Sequence, residues 1–218
     1  MRQADAVTLL GAFTGSLALA AGVYGDLWLA VRLLFIAYTL DVLDGVLARR
    51  EGATREGFML DRAVDRFTQV IVPSILLLLY KAPGTSTLEY GLYATYTASL
   101  VTLGFYRLVY RRVESLNYFS GLPLLTHALV ILAGIIALRN INIILLYYLL
   151  ALSLLPIPYY RRPSSGGKRS FPASRMIGAL LLAVIPYGGI IAEIIYWLVI
   201  VGVLVYSIGG ALIVRKPE

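Results

Sequence analysis

Four aspartates stand in two pairs within 25 residues: Asp41 and Asp44, then Asp61 and Asp65. Small residues and a cation accompany them, with Gly45, Ala48 and Arg49 after the first pair and Gly57 before the second. The run reads D-x2-D-G-x2-A-R-x7-G-x3-D-x3-D. Four carboxylates this close cannot all stay ionised without compensation. They need altered protonation, paired arginines or divalent cations, and Arg49, Arg62 and Arg66 are near enough in sequence to pair some of them. Hard oxygen donors suit Mg2+, Mn2+ or Ca2+. Two such ions about 3.5–4 Å apart would clamp a diphosphate and stabilise both the attacking and the leaving oxygen of a displacement. Gly45, Ala48 and Gly57 would leave room for that ligand against helix backbone. For any one aspartate, an interhelical salt bridge or a water-facing helix end is an adequate account. For eight positions specified by residue type it is a poor one.

The elements that carry these residues must be helices. At 100° per residue Asp41, Asp44, Gly45, Ala48 and Arg49 share one helix face. Asp61 and Asp65, four apart, share a face of the next helix, with Gly57 one turn earlier. A seven-residue connection makes the two helices antiparallel neighbours, so the carboxylates converge at one end. The chain around them is apolar: 59% of 218 residues are hydrophobic, 14% are charged, and the mean hydropathy is +0.80. A soluble domain carries about 25% charged residues. Apolar segments cover residues 7–24, 27–48, 58–80, 89–110, 121–138, 141–160, 174–188 and 190–214. Each but the seventh is about as long as a bilayer requires of a helix, and no alternating pattern supports a barrel. The expected fold is an all-α integral membrane protein of about eight transmembrane helices. Residues 1–160 form a six-helix catalytic core, 161–175 a basic cytoplasmic loop, and 176–218 a C-terminal transmembrane helix pair.

Charge placement orients this bundle. Arg50, Arg55, Arg111, Arg112, Arg161, Arg162, Lys168, Arg169, Arg175, Arg215 and Lys216 fall on one set of alternate connections and the tail; Lys81 and Arg139 alone fall on the other. The positive-inside rule then puts both termini and the carboxylates on the cytoplasmic side of the cytoplasmic membrane. The same placement explains the net charge of +7 without a nucleic-acid partner. The absence of cysteine excludes disulfides, thiolate catalysis and Cys-based zinc sites. The single histidine, His127, excludes a multi-His centre and reads as a buried hydrogen bonder between helices.

Asp41, Asp44, Gly45, Ala48, Arg49, Gly57, Asp61 and Asp65 together match the signature of the CDP-alcohol phosphatidyltransferases, and the chain resembles that family. The resemblance implies a homodimer with a six-helix core and two divalent cations, Mg2+ or Mn2+ with Ca2+ as a third choice, on the four aspartates. It implies that Asp44, Gly45, Ala48, Arg49 and Gly57 bind the CDP-linked lipid and that Asp65 is the catalytic base for the hydroxyl of a small alcohol. CMP is then the leaving group. Three patches resemble the phosphatidylserine synthase branch and its archaeal, CDP-archaeol-using members: Thr8-Leu9-Leu10 with Gly15, Tyr118-Phe119-Ser120-Gly121-Leu122-Pro123, and Leu154-Leu155-Pro156-Ile157-Pro158-Tyr159. Asp5 and Gly11 depart from that branch, which has asparagines there, and Leu60-Asp61-Arg62 with Asp65-Arg66 looks more like the inositol-phosphate branch.

The acceptor expected on this reading is L-serine, with inositol phosphate or glycerol phosphate as the alternative. Arg107, Arg111 and Arg112 are the cations able to hold an acceptor carboxylate or phosphate, although membrane anchoring is the plainer account of them. A cation transporter is the reading from another class. It would place carboxylates near mid-membrane in both halves of a repeat, and here all four lie in one third of the chain.

Overall fold

The computed structural model describes residues 2–52, 54–80, 86–110, 118–120, 124–137, 158–161, 173–184 and 190–213. The helices are α1 (Gln3–Val23), α2 (Leu27–Glu51), α3 (Arg55–Arg66), α4 (Val72–Leu79), α5 (Thr87–Tyr110), α6 (Leu124–Ala137), α7 (Ala173–Val184) and α8 (Ile190–Ile213). A π-helical turn, Phe67–Ile71, joins α3 to α4 without a break. Two short strands, β1 (Tyr118–Ser120) and β2 (Pro158–Arg161), pair antiparallel, with Phe119 opposite Tyr159 and Ser120 opposite Pro158. The helical class expected from the sequence therefore stands. The count of spans does not follow: among the described residues one helix, Gln3–Val23, is long and apolar enough to cross a membrane.

The described part of the seventh expected segment is the 12-residue α7. Most of the sixth lies outside the described residues, and its end, residues 158–160, is β2 rather than helix. A strand there follows from Pro158, which has no N–H to continue a helix but tolerates the edge of a ribbon.

The chain divides into two compact units, Met1–Tyr80 with Arg169–Gly188, and Lys81–Lys168 with Gly189–Glu218. In the first, α1 lies along α2, α4 packs on α1, and α7 packs on α2. The side of α1 that is covered carries Ala4, Thr8, Gly11, Gly15, Ala18 and Gly22, spaced alternately by four and three residues as a helix seam requires. Leu9, Leu10, Phe13 and Leu17 face outward, each at least 44% exposed. Small residues inward and large apolar ones outward is the pattern of a helix packed in lipid, where close backbone approach rather than burial of bulk drives association. At Gly15 an added Cβ would lie 2.9 Å from Thr68 Cγ2, and at Gly22 it would collide with Leu76. In the second unit α6 packs on α8, and β2 runs beside α8.

Candidate metal centre

Local signals set where the carboxylate-bearing helices begin and end. Asp26 caps α2, its carboxylate accepting from the Leu29 N–H at 2.9 Å. Gly52 ends the helix with φ +88°, a conformation that costs other residues. Thr54 then caps α3, its Oγ1 accepting from the Gly57 N–H at 3.2 Å. These caps hold Asp41 and Asp44 on the last turns of α2 against Asp61 on the first turns of α3.

Carboxylate oxygens of Asp41, Asp44 and Asp61 lie within 4.8 Å of one another. Ligand oxygens on opposite sides of a hard divalent cation are about 4–5 Å apart, so the trio fits such an ion as it stands. Asp44 is the most enclosed, at 4% exposed. The Thr8 hydroxyl donates to its Oδ2 at 2.6 Å. Thr8 Oγ1 also lies 3.0 Å from the Ala4 carbonyl, but it has a single proton, and the shorter, charge-assisted contact takes it. Asp65 adjoins the trio, its carboxyl close to that of Asp41. Its Oδ1 also accepts from Gln69 Nε2 at 2.6 Å. Arg62 and Arg66 lie close enough to Asp61 to offset part of its charge. Arg62 also sits over the Phe58 ring, 5.2 Å from its centroid.

Beside the centre is a cleft of ≈ 110 Å³ lined by Arg2, Ala4, Asp5, Thr8, Asp44, Gly45, Ala48, Thr54, Gly57, Phe58 and Asp61. Ligand sites of whole small molecules run to about 300–1,000 Å³, so this cleft has room for one portion of a larger ligand. Arg2 spans its rim. It pairs with Asp5 through Nη2 at 2.7 Å and Nε at 3.2 Å, and its Nη1 donates to the Gly52 carbonyl. Donation to Asp5 raises the hold of the guanidinium on its proton. The guanidinium reaches this place because Gly57 has no side chain: a Cβ there would collide with Arg2 and lie 2.8 Å from Asp5 Oδ1. Arg49 reaches back over its own helix, its Nη1 3.5 Å from where a Cβ on Gly45 would be.

The structure thus gathers Asp41, Asp44 and Asp61 into one centre, Asp65 beside them, and Gly45, Ala48 and Gly57 on the adjoining cleft, with Arg49 over Gly45. Of the cations assigned to the acceptor, Arg107 is in the last turn of α5, and Arg111 and Arg112 lie outside the described residues. His127, at 0% exposed, is in the core of α6 as its apolar neighbours imply. Sequence reasoning had not assigned Arg2, Thr54, Phe58 or Gln69 to the site, nor Asp5 or Thr8 to its chemistry. Two signals were available: the S/T-x-x spacing of Thr54 before Gly57, and an Arg-x-x-Asp at the chain's first helix turn.

An oxygen-only centre beside a cleft floored by small residues is the equipment of metal-dependent phosphoryl transfer. The sequence matches the CDP-alcohol phosphatidyltransferase family over residues 1–208, and the chain belongs to that family. Its members are integral membrane transferases that use divalent metals and act on a CDP-alcohol and an alcohol acceptor. A transporter reading has no place beside that membership. No curated protein matches the chain significantly.

Proposed function

We propose that this transferase moves a phosphatidyl or archaetidyl group from a CDP-linked lipid to the hydroxyl of L-serine and releases CMP. The observation that carries the transfer chemistry is the Asp41, Asp44 and Asp61 trio, with oxygens within 4.8 Å of one another beside the Gly45, Ala48 and Gly57 cleft. Asp41, Asp44, Asp61 and Asp65 would hold two divalent ions, which would neutralise the diphosphate and stabilise the attacking and leaving oxygens. Thr8 fixes the rotamer of Asp44. Gly45, Ala48 and Gly57 admit the diphosphate against backbone, and Arg49 offers it a cation. Asp65 takes the proton from the serine hydroxyl as that oxygen forms a bond to the lipid-bearing phosphorus. The bond from that phosphorus to the CMP oxygen breaks, and CMP leaves with the electron pair. The reaction runs on the cytoplasmic face, where the basic connections fall, in a homodimer as the family resemblance implies.

Serine as acceptor is supported by the three patches that resemble the serine branch. Each has a structural task here. Thr8 is the donor to Asp44, and Gly15 allows α1 to close on Thr68. Residues of the other two patches face each other across the β1–β2 ribbon, Phe119 against Tyr159 and Ser120 against Pro158. A serine zwitterion carries one carboxylate, which a single bidentate arginine can hold; inositol phosphate or glycerol phosphate carries about two negative charges and calls for two or more cations.

The test is CMP release by the purified protein from CDP-diacylglycerol or CDP-archaeol with serine, inositol phosphate or glycerol phosphate. Release with serine is expected. One of Arg107→Ala, Arg111→Ala or Arg112→Ala should then raise the KM for serine roughly 10- to 150-fold, and that for the CDP-lipid far less. Release with either sugar-alcohol phosphate and none with serine would overturn the acceptor and leave the transfer chemistry intact.

A further inference from the structure

The helix that carries Asp61 and Asp65 is not a regular α-helix beyond them. At its π-helical turn the Val72 N–H donates to the Phe67 carbonyl, five residues back. The reason is two residues of sequence. Pro73 has no N–H, so one carbonyl in the preceding turn must lose its partner whatever the helix type. With Val72 committed to Phe67, the carbonyl left over is that of Thr68, since its remaining helical partner would be Pro73. Thr68 is 3% exposed, where an unmet carbonyl is costly. The Tyr38 hydroxyl meets it, donating to Thr68 O at 3.1 Å. Tyr38, itself 3% exposed, is on α2 one turn before Asp41. The two carboxylate-bearing helices are therefore locked in register by a bond that exists because of Pro73.

Inside the same turn lies Gln69, 7% exposed, whose Nε2 donates to Asp65 Oδ1 at 2.6 Å. Asp65 is thus held by Gln69 on its own helix, with the Asp41 carboxyl of α2 beside it. A neutral amide orients a carboxylate without neutralising it, as a lysine or arginine in that place would. Interruptions of this kind in helices occur often beside functional groups.

We propose that Gln69 is a positioning residue that fixes the carboxylate of Asp65 for the acceptor hydroxyl, and that the π-helical turn set by Pro73 and Tyr38 puts it there. This rests on Asp65 as the base. The trio of Asp41, Asp44 and Asp61 makes no use of Gln69, so its removal should slow turnover, spare the CDP-lipid and weaken the metal no more than loss of the Asp65 carboxylate does.

The test compares wild type with Gln69→Met, which keeps the reach but has no donor, and Gln69→Asn, which keeps the amide but is one methylene short. Both are expected to lower kcat roughly 10- to 100-fold, the scale of an ångström-level misplacement. The KM for the CDP-lipid should stay as in wild type, and Mn2+ binding, followed by electron paramagnetic resonance, should fall no further than in Asp65→Asn. A wild-type kcat in both variants overturns the proposal, and so does a loss of Mn2+ binding greater than in Asp65→Asn, a KM that rises in step with the fall in kcat, or failure of both variants to fold. Asp65→Asn separates the two levels. If it turns over normally, the reading of Asp65 as base fails and the role of Gln69 falls with it. If it is inactive while both Gln69 variants work normally, the role of Gln69 alone fails.

Discussion

Gly57→Ala separates the fold's need for a residue from the ligand's. Gly57 is in the first turn of α3, where alanine is the better helix former by up to about 1 kcal/mol. Against that gain stands one contact. A Cβ would collide with the Arg2 guanidinium, lie 2.8 Å from Asp5 Oδ1 and 3.2 Å from Thr54 Oγ1. The first two atoms are the ends of flexible side chains, so the chain can yield by letting the Arg2–Asp5 pair swing out. That pair is at the surface, with side chains 24% and 21% exposed, and such a bridge contributes little to stability. Gain and loss nearly cancel, and the melting temperature in detergent should move by only a few degrees either way.

The ligand has no such freedom. A diphosphate laid against the backbone at Gly57 meets a methyl group that cannot leave. Overpacking of this kind costs about 1–3 kcal/mol, which is roughly 5- to 150-fold in kcat/KM. The assay is CMP release across a CDP-lipid titration, with the effect expected in the KM for the CDP-lipid. Gly57→Ala in an Arg2→Ala background locates the cause. If the methyl group acts on the ligand, the loss persists without Arg2; if it acts by displacing Arg2, the second substitution relieves it. A wild-type KM with an unchanged melting temperature would refute the placement of the CDP-lipid over Gly57.

Three further outcomes are expected. Asp41→Asn, Asp44→Asn and Asp61→Asn should each nearly abolish CMP release while the protein still folds, and chelation should do the same to wild type; Asp65→Asn should keep Mn2+ better than Asp61→Asn, as read by Mn2+ titration, and turnover that survives chelation would remove the metals. Thr8→Val keeps the shape of the side chain but takes the donor from buried Asp44, a loss of about 1.5–3 kcal/mol for a charge-assisted bond, so either Mn2+ affinity or the melting temperature should drop, and no change in both would show that the 2.6 Å contact is idle. Cysteines introduced at Arg50 and Ser86, both exposed, should label from the cytoplasmic and the outer face respectively, and the reverse pattern would invert the topology.

How much of this was legible beforehand differs with the kind of constraint. The carboxylates were legible because metal chemistry demands residue types at helical spacing, and spacing along one chain is all a sequence displays. Asp41, Asp44 and Asp61 meet as the 3.6-residue period says they should. Thr8 was visible only as one residue of a resemblance, because its partner, Asp44, is 36 positions away and no periodicity links them. Arg2 was missed for a related reason. Its place in the cleft depends on an atom Gly57 does not have, and a missing atom leaves no pattern in the chain. The spans were read from apolarity, which reports membership in lipid well and length poorly. The strand at Pro158 shows where turn chemistry overrides apolar character.

Pro73 is the instructive case, since it was in plain sight and carried no weight. A proline within an apolar span is tolerated when its freed carbonyl finds a donor, and which donor depends on another helix. The sequence around it, Thr68-Gln69-Val70-Ile71-Val72-Pro73, reads as an ordinary apolar run with two polar residues in it. Only the packing of α2 supplies the Tyr38 hydroxyl to Thr68, and only then does Gln69 gain a reason to be polar. A buried amide four residues beyond a buried carboxylate looks like core decoration until the helix between them is found to be widened and tied. Gln69, after Asp65, thus belongs to the site for the same reason that Thr8, before it, does: each donates to a carboxylate of the cluster.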